Sequence, residues 1–330
     1  MPDATLSLIR RVDPGDLHAV EGWNAALEAD RHSTGPRWQR GDIGTPIQLA
    51  EGTLFVFADT WCRNQHGPYL VRNSAVWVDH RGAVSWLSGP VHSALVTLST
   101  AFGWWWPAGG IPSGSSSAQL FGSTWHPGPL YGRCEGPAVV EVNVEQGAVS
   151  DVVPLDLPTD FTWGPPHRAG DMVHMAGFNP ATWEHAIAGH AYCDEPEGYA
   201  GDWKWTNLEI DSPPLGALSL RRWRRGWLAS AKILCSGPEL DFDETPEIAA
   251  WFSPEPAGPY IRLPDPVDDT TRTDWRTYGA QLVELPHVGL VALWNANADA
   301  ELVSYDVGGY GPKIDRAWLP SAASHWTALA

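Results

Sequence analysis

Asp42-Ile43-Gly44-Thr45-Pro46-Ile47-Gln48-Leu49-Ala50-Glu51-Gly52-Thr53-Leu54-Phe55-Val56-Phe57-Ala58-Asp59 reads as one β-hairpin with an aspartate at each end. Ile43 to Leu49 makes a first strand, Glu51-Gly52 the turn, and Thr53 to Ala58 an apolar return strand. Positions 42 and 59 are equally far from the turn midpoint between 50 and 51, so antiparallel pairing brings both aspartates to one open end. Pro46 has no N–H to give to a ladder. Its strand is therefore expected at a sheet edge or lining a channel.

Working outward, Val71 to Val78, the turn Asp79-His80-Arg81-Gly82 and Ala83 to Leu87 form a second hairpin. Similar units restart near Phe102, Phe161, Leu215 and Tyr278, roughly 50 to 65 residues apart counted from Asp42, in the range of a propeller blade with generous loops. Five such units predict an all-β fold, a five-bladed β-propeller over residues 39–330; a β-sandwich followed by a second β domain is the alternative. Residues 1–38 are expected as an N-terminal extension, packed on the outside or completing the last blade. They hold one helical piece, Pro14 to Asp30, with Leu17, Val20, Trp23, Ala26 and Leu27 on one face.

Composition agrees with a β-rich chain. Gly (33) and Pro (29) recur throughout, while an apolar fraction of 43% against 18% charged supports a sizeable core. Twenty Trp stand beside eight Phe and eight Tyr, more than core filling alone calls for, and an exposed indole suits the C–H face of a sugar ring. The net charge of −18 repels phosphate backbones, so no nucleic-acid partner is expected. Arg221-Arg222-Trp223-Arg224-Arg225 reads as a solvated hairpin turn between apolar flanks. No run of about 18 apolar residues is present, so no membrane span is expected. Met1 to Gly22 lacks the apolar core of a signal peptide, so the chain either stays inside the cell or leaves by lysis, in a virion or after a separate leader. Cys62, Cys134, Cys193 and Cys235 are widely spaced, leaving long-range disulfides and buried thiols both open.

The chemistry-bearing pair is Asp42 and Asp59. Two carboxylates facing one another are what glycoside hydrolysis requires: one protonated to supply the leaving oxygen, one ionised to activate water or attack. Turn-capping aspartates beside Gly and Thr are the structural alternative. His167, His174, His185 and His190 fall in one region without metal-ligand spacing, and no phosphate-cradling loop occurs. No metal and no cofactor are expected.

The run Gly41-Asp42-Ile43-Gly44-Thr45-Pro46, then Leu54-Phe55-Val56-Phe57-Ala58-Asp59-Thr60-Trp61, then Arg72-Asn73-Ser74-Ala75, resembles the opening blade of a five-bladed propeller family that includes the endo-D-arabinanases. Phe161-Thr162-Trp163-Gly164, Ser253-Pro254 with Gly258-Pro259-Tyr260, Tyr278-Gly279-Ala280-Gln281, Trp294-Asn295-Ala296-Asn297 and Tyr310-Gly311-Pro312-Lys313 continue the likeness in chain order. The resemblance implies endo-hydrolysis, with inversion, of D-arabinofuranosyl linkages in mycobacterial-type arabinan, with Asp42 and Asp59 as the catalytic pair. The sequence departs from that pattern at Ala58, where Gly is usual, and at Trp106-Pro107-Ala108-Gly109-Gly110, which lacks an acid. It departs again at Leu282-Val283-Glu284-Leu285, in place of a run opening with an imidazole.

Expected substrate-binding residues are Trp61, Trp104, Trp105, Trp106 and Trp163 as stacking surfaces. Arg72 and Asn73 are expected to contact sugar hydroxyls or to hold an aspartate ionised, and Asn295 to serve as a hydroxyl ligand or a turn amide. The partner is a polysaccharide, D-arabinan of arabinogalactan or lipoarabinomannan. A non-catalytic propeller that binds cell-wall glycan, such as a phage tail-tip protein or an adhesin, is the alternative from another class.

Overall fold

The computed structural model describes residues 4–28, 37–42, 44–98, 103–128, 133–179, 187–194, 201–210, 218–232, 247–263, 268–269, 275–298 and 311–316. Its first eight strands are β1 (Thr5–Arg11), β2 (Arg37–Gly41), β3 (Thr45–Leu49), β4 (Gly52–Phe57), β5 (Thr60–Asn64), β6 (Gly67–Val71), β7 (Ser74–Asp79) and β8 (Ala83–Ser88). They build a first sheet in the order β1-β8-β7-β4-β3 and a small sheet in the order β2-β5-β6. β3, carrying Pro46, is an edge strand, so the missing N–H costs no ladder bond on its open side.

The second sheet contains β9 (Trp104–Pro112), β10 (Ser117–His126), β11 (Arg133–Asn143), β12 (Ala148–Val149) and β13 (Val153–Pro154). The third has β14 (Thr162–Trp163), β15 (His167–Ala169), β16 (Met172–Asn179), β17 (Ile187–Cys193) and β18 (Lys204–Asn207). The fourth has β19 (Ser219–Trp223), β20 (Gly226–Lys232), β21 (Glu247–Ser253), β22 (Ile261–Arg262) and β23 (Asp268–Asp269). The last is β24 (Trp275–Leu285), β25 (Gly289–Ala298) and β26 (Gly311–Arg316).

These sheets form a ring. β3 packs against β9, β9 against β15, β15 against β19, β19 against β24, and β24 back against β3. The fold is an all-β propeller. A sandwich with a separate second domain would not bring the last sheet back onto the first. Close approach near the axis depends on small residues and on polar links between inner strands. A Cβ at Gly109 would meet Thr45 and Pro165, and one at Gly164 would meet the Leu218 carbonyl. Thr45 Oγ1 donates to the Ala108 carbonyl at 2.8 Å and accepts from Gln281 Nε2 at 2.9 Å, tying the inner strands of three sheets together.

The N-terminal segment closes the seam. β1 is the outermost strand of the first sheet, paired with β8. The helical face lies as its periodicity predicts, with Leu17, Val20, Trp23, Ala26 and Leu27 all buried. It is split, however, into a 3-10 turn, Pro14–His18, and helix α1, Val20–Leu27, because Ala19 is extended. This face shares one core with β4, β7 and β8 of the first sheet and with Val283, Leu285, Val291 and Leu293 of the last.

One feature of the first sheet prepares the site. β2, β5 and β6 lie side by side in the same order as β3, β4 and β7, which continue them along the chain. The pairing register is the same on both sides of the interruption, Arg40↔Trp61 before it and Thr45↔Val56 after it. Three strands thus run through both sheets and break together at residues 42–44, 58–59 and 72–73.

Candidate functional site

The break is where the two aspartates meet. Asp42 N–H donates to the Asp59 carbonyl at 2.8 Å, and the Asp42 carbonyl accepts from Ala58 N–H at 2.9 Å. Two residues of one strand therefore face one of the other, the arrangement of a β-bulge, which re-aims the side chains beside it. Gly44 takes up the compensating turn at φ 64°, in the left-handed region that favours glycine. Gly41 is needed on the other side of Asp42, where an added Cβ would overlap the Phe57 ring.

The Asp59 carboxylate is held by side chains from two further elements. Trp106 Nε1 donates to Oδ1 at 2.8 Å, and Arg72 Nη1 reaches Oδ2 at 2.9 Å and Oδ1 at 3.2 Å. Burial raises its pKa above the ordinary aspartate value, outweighing the Trp106 hydrogen bond and the Arg72 charge, which both lower it. Asp42 Oδ1 is shut off from solvent. Arg72 also lies over the Trp104 ring, its Cζ 4.8 Å from the centroid.

The three consecutive tryptophans divide by strand alternation. β9 shows alternating half-buried and buried residues, so Trp104 and Trp106 share one face while Trp105, 1% exposed, enters the core on the other. Trp104 and Trp106 meet edge to face at 5.5 Å, and Trp106 meets Trp125 of β10 at 5.0 Å. Trp125 escapes a reading based on sequence neighbours. The signal for it is cross-strand register, because the β9–β10 ladder sets it opposite Trp104.

The remaining expected residues divide differently. Trp61 is half-buried on β5, two residues past Asp59. Trp163 is a core residue at 3% exposure, stacked on Phe161 and bonded to the Pro158 carbonyl. Asn73, 1% exposed, spends its amide on the backbone: Nδ2 donates to the carbonyls of Val96 and Trp105, and Oδ1 accepts from Val96 N–H. It clamps the β7 start to the connector that leads into β9. Asn295 lies within β25, in register with Tyr278 and Pro312, so its backbone is strand and not turn; its side chain lies outside the described residues. Arg221–Arg225 spans the β19–β20 hairpin turn, and Arg221 pairs with Glu284 at 2.7 Å.

The fold is shared with solved glycoside hydrolases. The GH43 BlXynB protein of Bacillus licheniformis superposes with a TM-score of 0.56 at 13% identity, over 86% of this chain and 53% of that one. Native arabinanase Arb43A of Bacillus subtilis gives 0.56 at 12%, over 88% and 98% of the two chains. The catalytic domain of a Coprinopsis cinerea GH62 α-L-arabinofuranosidase gives 0.51 at 10%, over 95% and 96%. This chain thus spans about half the length of the B. licheniformis protein. No protein-family model and no curated protein matches the sequence, so the likeness to endo-D-arabinanases rests on the motifs quoted above.

The histidines form a different kind of site. His174 Nδ1 and His190 Nε2 are 3.0 Å apart with rings nearly parallel, 4% and 2% exposed; His185 lies outside the described residues. Burial pushes both pKa values down to about 4, with Arg222 adding to the shift at His174 and His174 to that at His190. Both rings are thus neutral in the fold and protonate more readily when unfolded, at the ordinary 6.5. Their contribution to stability is complete above pH 6.5 and is lost as pH falls toward about 4. The melting temperature is expected to drop across that window, and His190→Gln to flatten the drop. An equal fall of melting temperature with pH in wild type and variant would contradict it.

Cys62 is fully buried, and burial pushes its thiol up to about 12, which makes it an inert core residue.

Proposed function

We propose that this protein is a glycoside hydrolase that cuts D-arabinofuranosyl linkages within mycobacterial-type arabinan, with inversion, on a five-bladed propeller. The observation that carries the reading is the Asp42–Asp59 pair, joined backbone to backbone where three strands break, with an indole cluster beside it. Asp59 receives N–H donors from Trp106 and Arg72, and such donors favour the ionised carboxylate. They work against the burial that raises its pKa, and on the geometry of these two donors we assign Asp59 as the base. Asp42, with one oxygen shielded from solvent, is the acid.

In the reaction Asp59 takes a proton from a water whose oxygen attacks the anomeric carbon. The bond from that carbon to the leaving oxygen breaks, and the Asp42 carboxyl delivers its proton to that oxygen. Arg72 balances the Asp59 charge before the proton arrives. The half-buried rings of Trp104 and Trp106 are the stacking surface we assign to the sugar.

Incubation with purified arabinogalactan tests the proposal. Oligosaccharides with new reducing ends are expected. Retention of the glycan without new reducing ends would favour the non-catalytic glycan-binding propeller instead.

A further inference from the structure

We propose that Trp106 is a positioning residue that ties the seat of the bound glycan to the Asp59 carboxylate, and that Trp125 extends that seat. This rests on the reading of Asp59 as the base. One indole makes both contacts: its N–H donates to Asp59 Oδ1 at 2.8 Å, and its ring meets Trp104 at 5.5 Å and Trp125 at 5.0 Å. An indole has only two side-chain torsions, and here two ring neighbours and a hydrogen bond at the tip fix them. A sugar resting on this cluster is therefore held at a set distance from the carboxylate. The second donor leans on the same cluster, since Arg72 lies over the Trp104 ring while it binds Asp59.

The three rings come from two strands by simple geometry. Trp104 and Trp106 are two apart on β9, and Trp125 stands opposite Trp104 on β10. The next residues of β10 on either side, Thr124 and His126, face the other way and line a cavity of about 620 Å³ with Glu135 and Asp151. Trp125 is thus the β10 side chain that joins the aromatic face. The charged side chain in contact with the Asp59 carboxylate is Arg72, whereas Arg40 of β2 is directed at the Leu27 carbonyl and Glu28.

The test separates positioning from packing. Trp106→Phe keeps an aromatic ring and removes the N–H. Titration of the Asp59 carboxyl by carbon NMR in the unliganded protein is expected to shift upward by about one pH unit in this variant and to stay put in Trp125→Phe. In the wild type, the Trp106 indole N–H resonance is expected to follow the same midpoint, a measurement that needs no variant. Under turnover, Trp106→Phe is expected to lower kcat about tenfold, with the acidic limb of the pH profile moved upward and KM within about twofold. Trp125→Ala is expected to weaken binding of D-arabinan oligosaccharides about tenfold without moving the Asp59 titration.

An unchanged Asp59 midpoint in Trp106→Phe, or an indole resonance that ignores it, overturns the positioning role whether or not any glycan is cleaved. Unaltered oligosaccharide binding by Trp125→Ala overturns the extended seat. Failure of the wild type to cleave arabinan would strike the glycosidase reading instead, and the titration would still decide the link between Trp106 and Asp59.

Discussion

Asp59→Asn is expected to reduce hydrolysis of D-arabinan by about 10³-fold or more while the protein stays folded. Removing a base that activates water forfeits the about 10²–10⁴-fold of general acid–base catalysis. The amide retains an acceptor for Trp106 but cannot take a proton. The fold survives because the Asp59 side chain is 23% and its partner Arg72 43% exposed, so the released guanidinium is not stranded in the core. Asp42→Asn is expected to differ in a way that separates the two roles. Without an acid, cleavage of the polymer fails, but an aryl arabinoside with a good leaving group needs no proton and should still turn over. Reducing-sugar release from arabinan and chromophore release from the aryl substrate measure the two activities. Full activity toward arabinan in either variant would remove the pair from the mechanism.

The largest effect on stability is expected at Asn73. Its amide satisfies the Val96 N–H and the carbonyls of Val96 and Trp105, all in a site that is 1% exposed. Asn73→Ala takes their partner from those backbone groups, and a loss of about 3 kcal/mol or more follows from the cost of about 1–3 kcal/mol for each orphaned group. Denaturant titration should show a lower midpoint with an unchanged slope. Activity should fall as well, since the clamp holds Trp105 between the two tryptophans that face Asp59 and Arg72. A variant as stable as the wild type would mean that water replaces the amide, and that Asn73 is free to serve a ligand.

Much was legible in the sequence because it was local. The equal distance of Asp42 and Asp59 from one turn dictates their pairing, and the bond from Asp42 N–H to the Asp59 carbonyl realises it. The helical face of Leu17, Val20, Trp23, Ala26 and Leu27 follows from its spacing and is buried as a set. Strand units expected to restart near Phe161 and Tyr278 do so at Thr162 and Trp275. The period of two along β9 also contained the division of Trp104 and Trp106 from Trp105.

Other properties depend on contacts between distant parts of the chain. Asp59 receives its indole donor from 47 residues away, and Asn73 reaches the Trp105 carbonyl across 32. Trp125 joins the aromatic face only through the β9–β10 register, and Trp163 leaves the site for a core it shares with Ile111, Phe121 and Val139 of the second sheet. Local periodicity determines which side of a strand a residue occupies. What it meets there is determined by how the sheets close into a ring, and that closure sets the burial and the donors from which a carboxylate takes its chemistry.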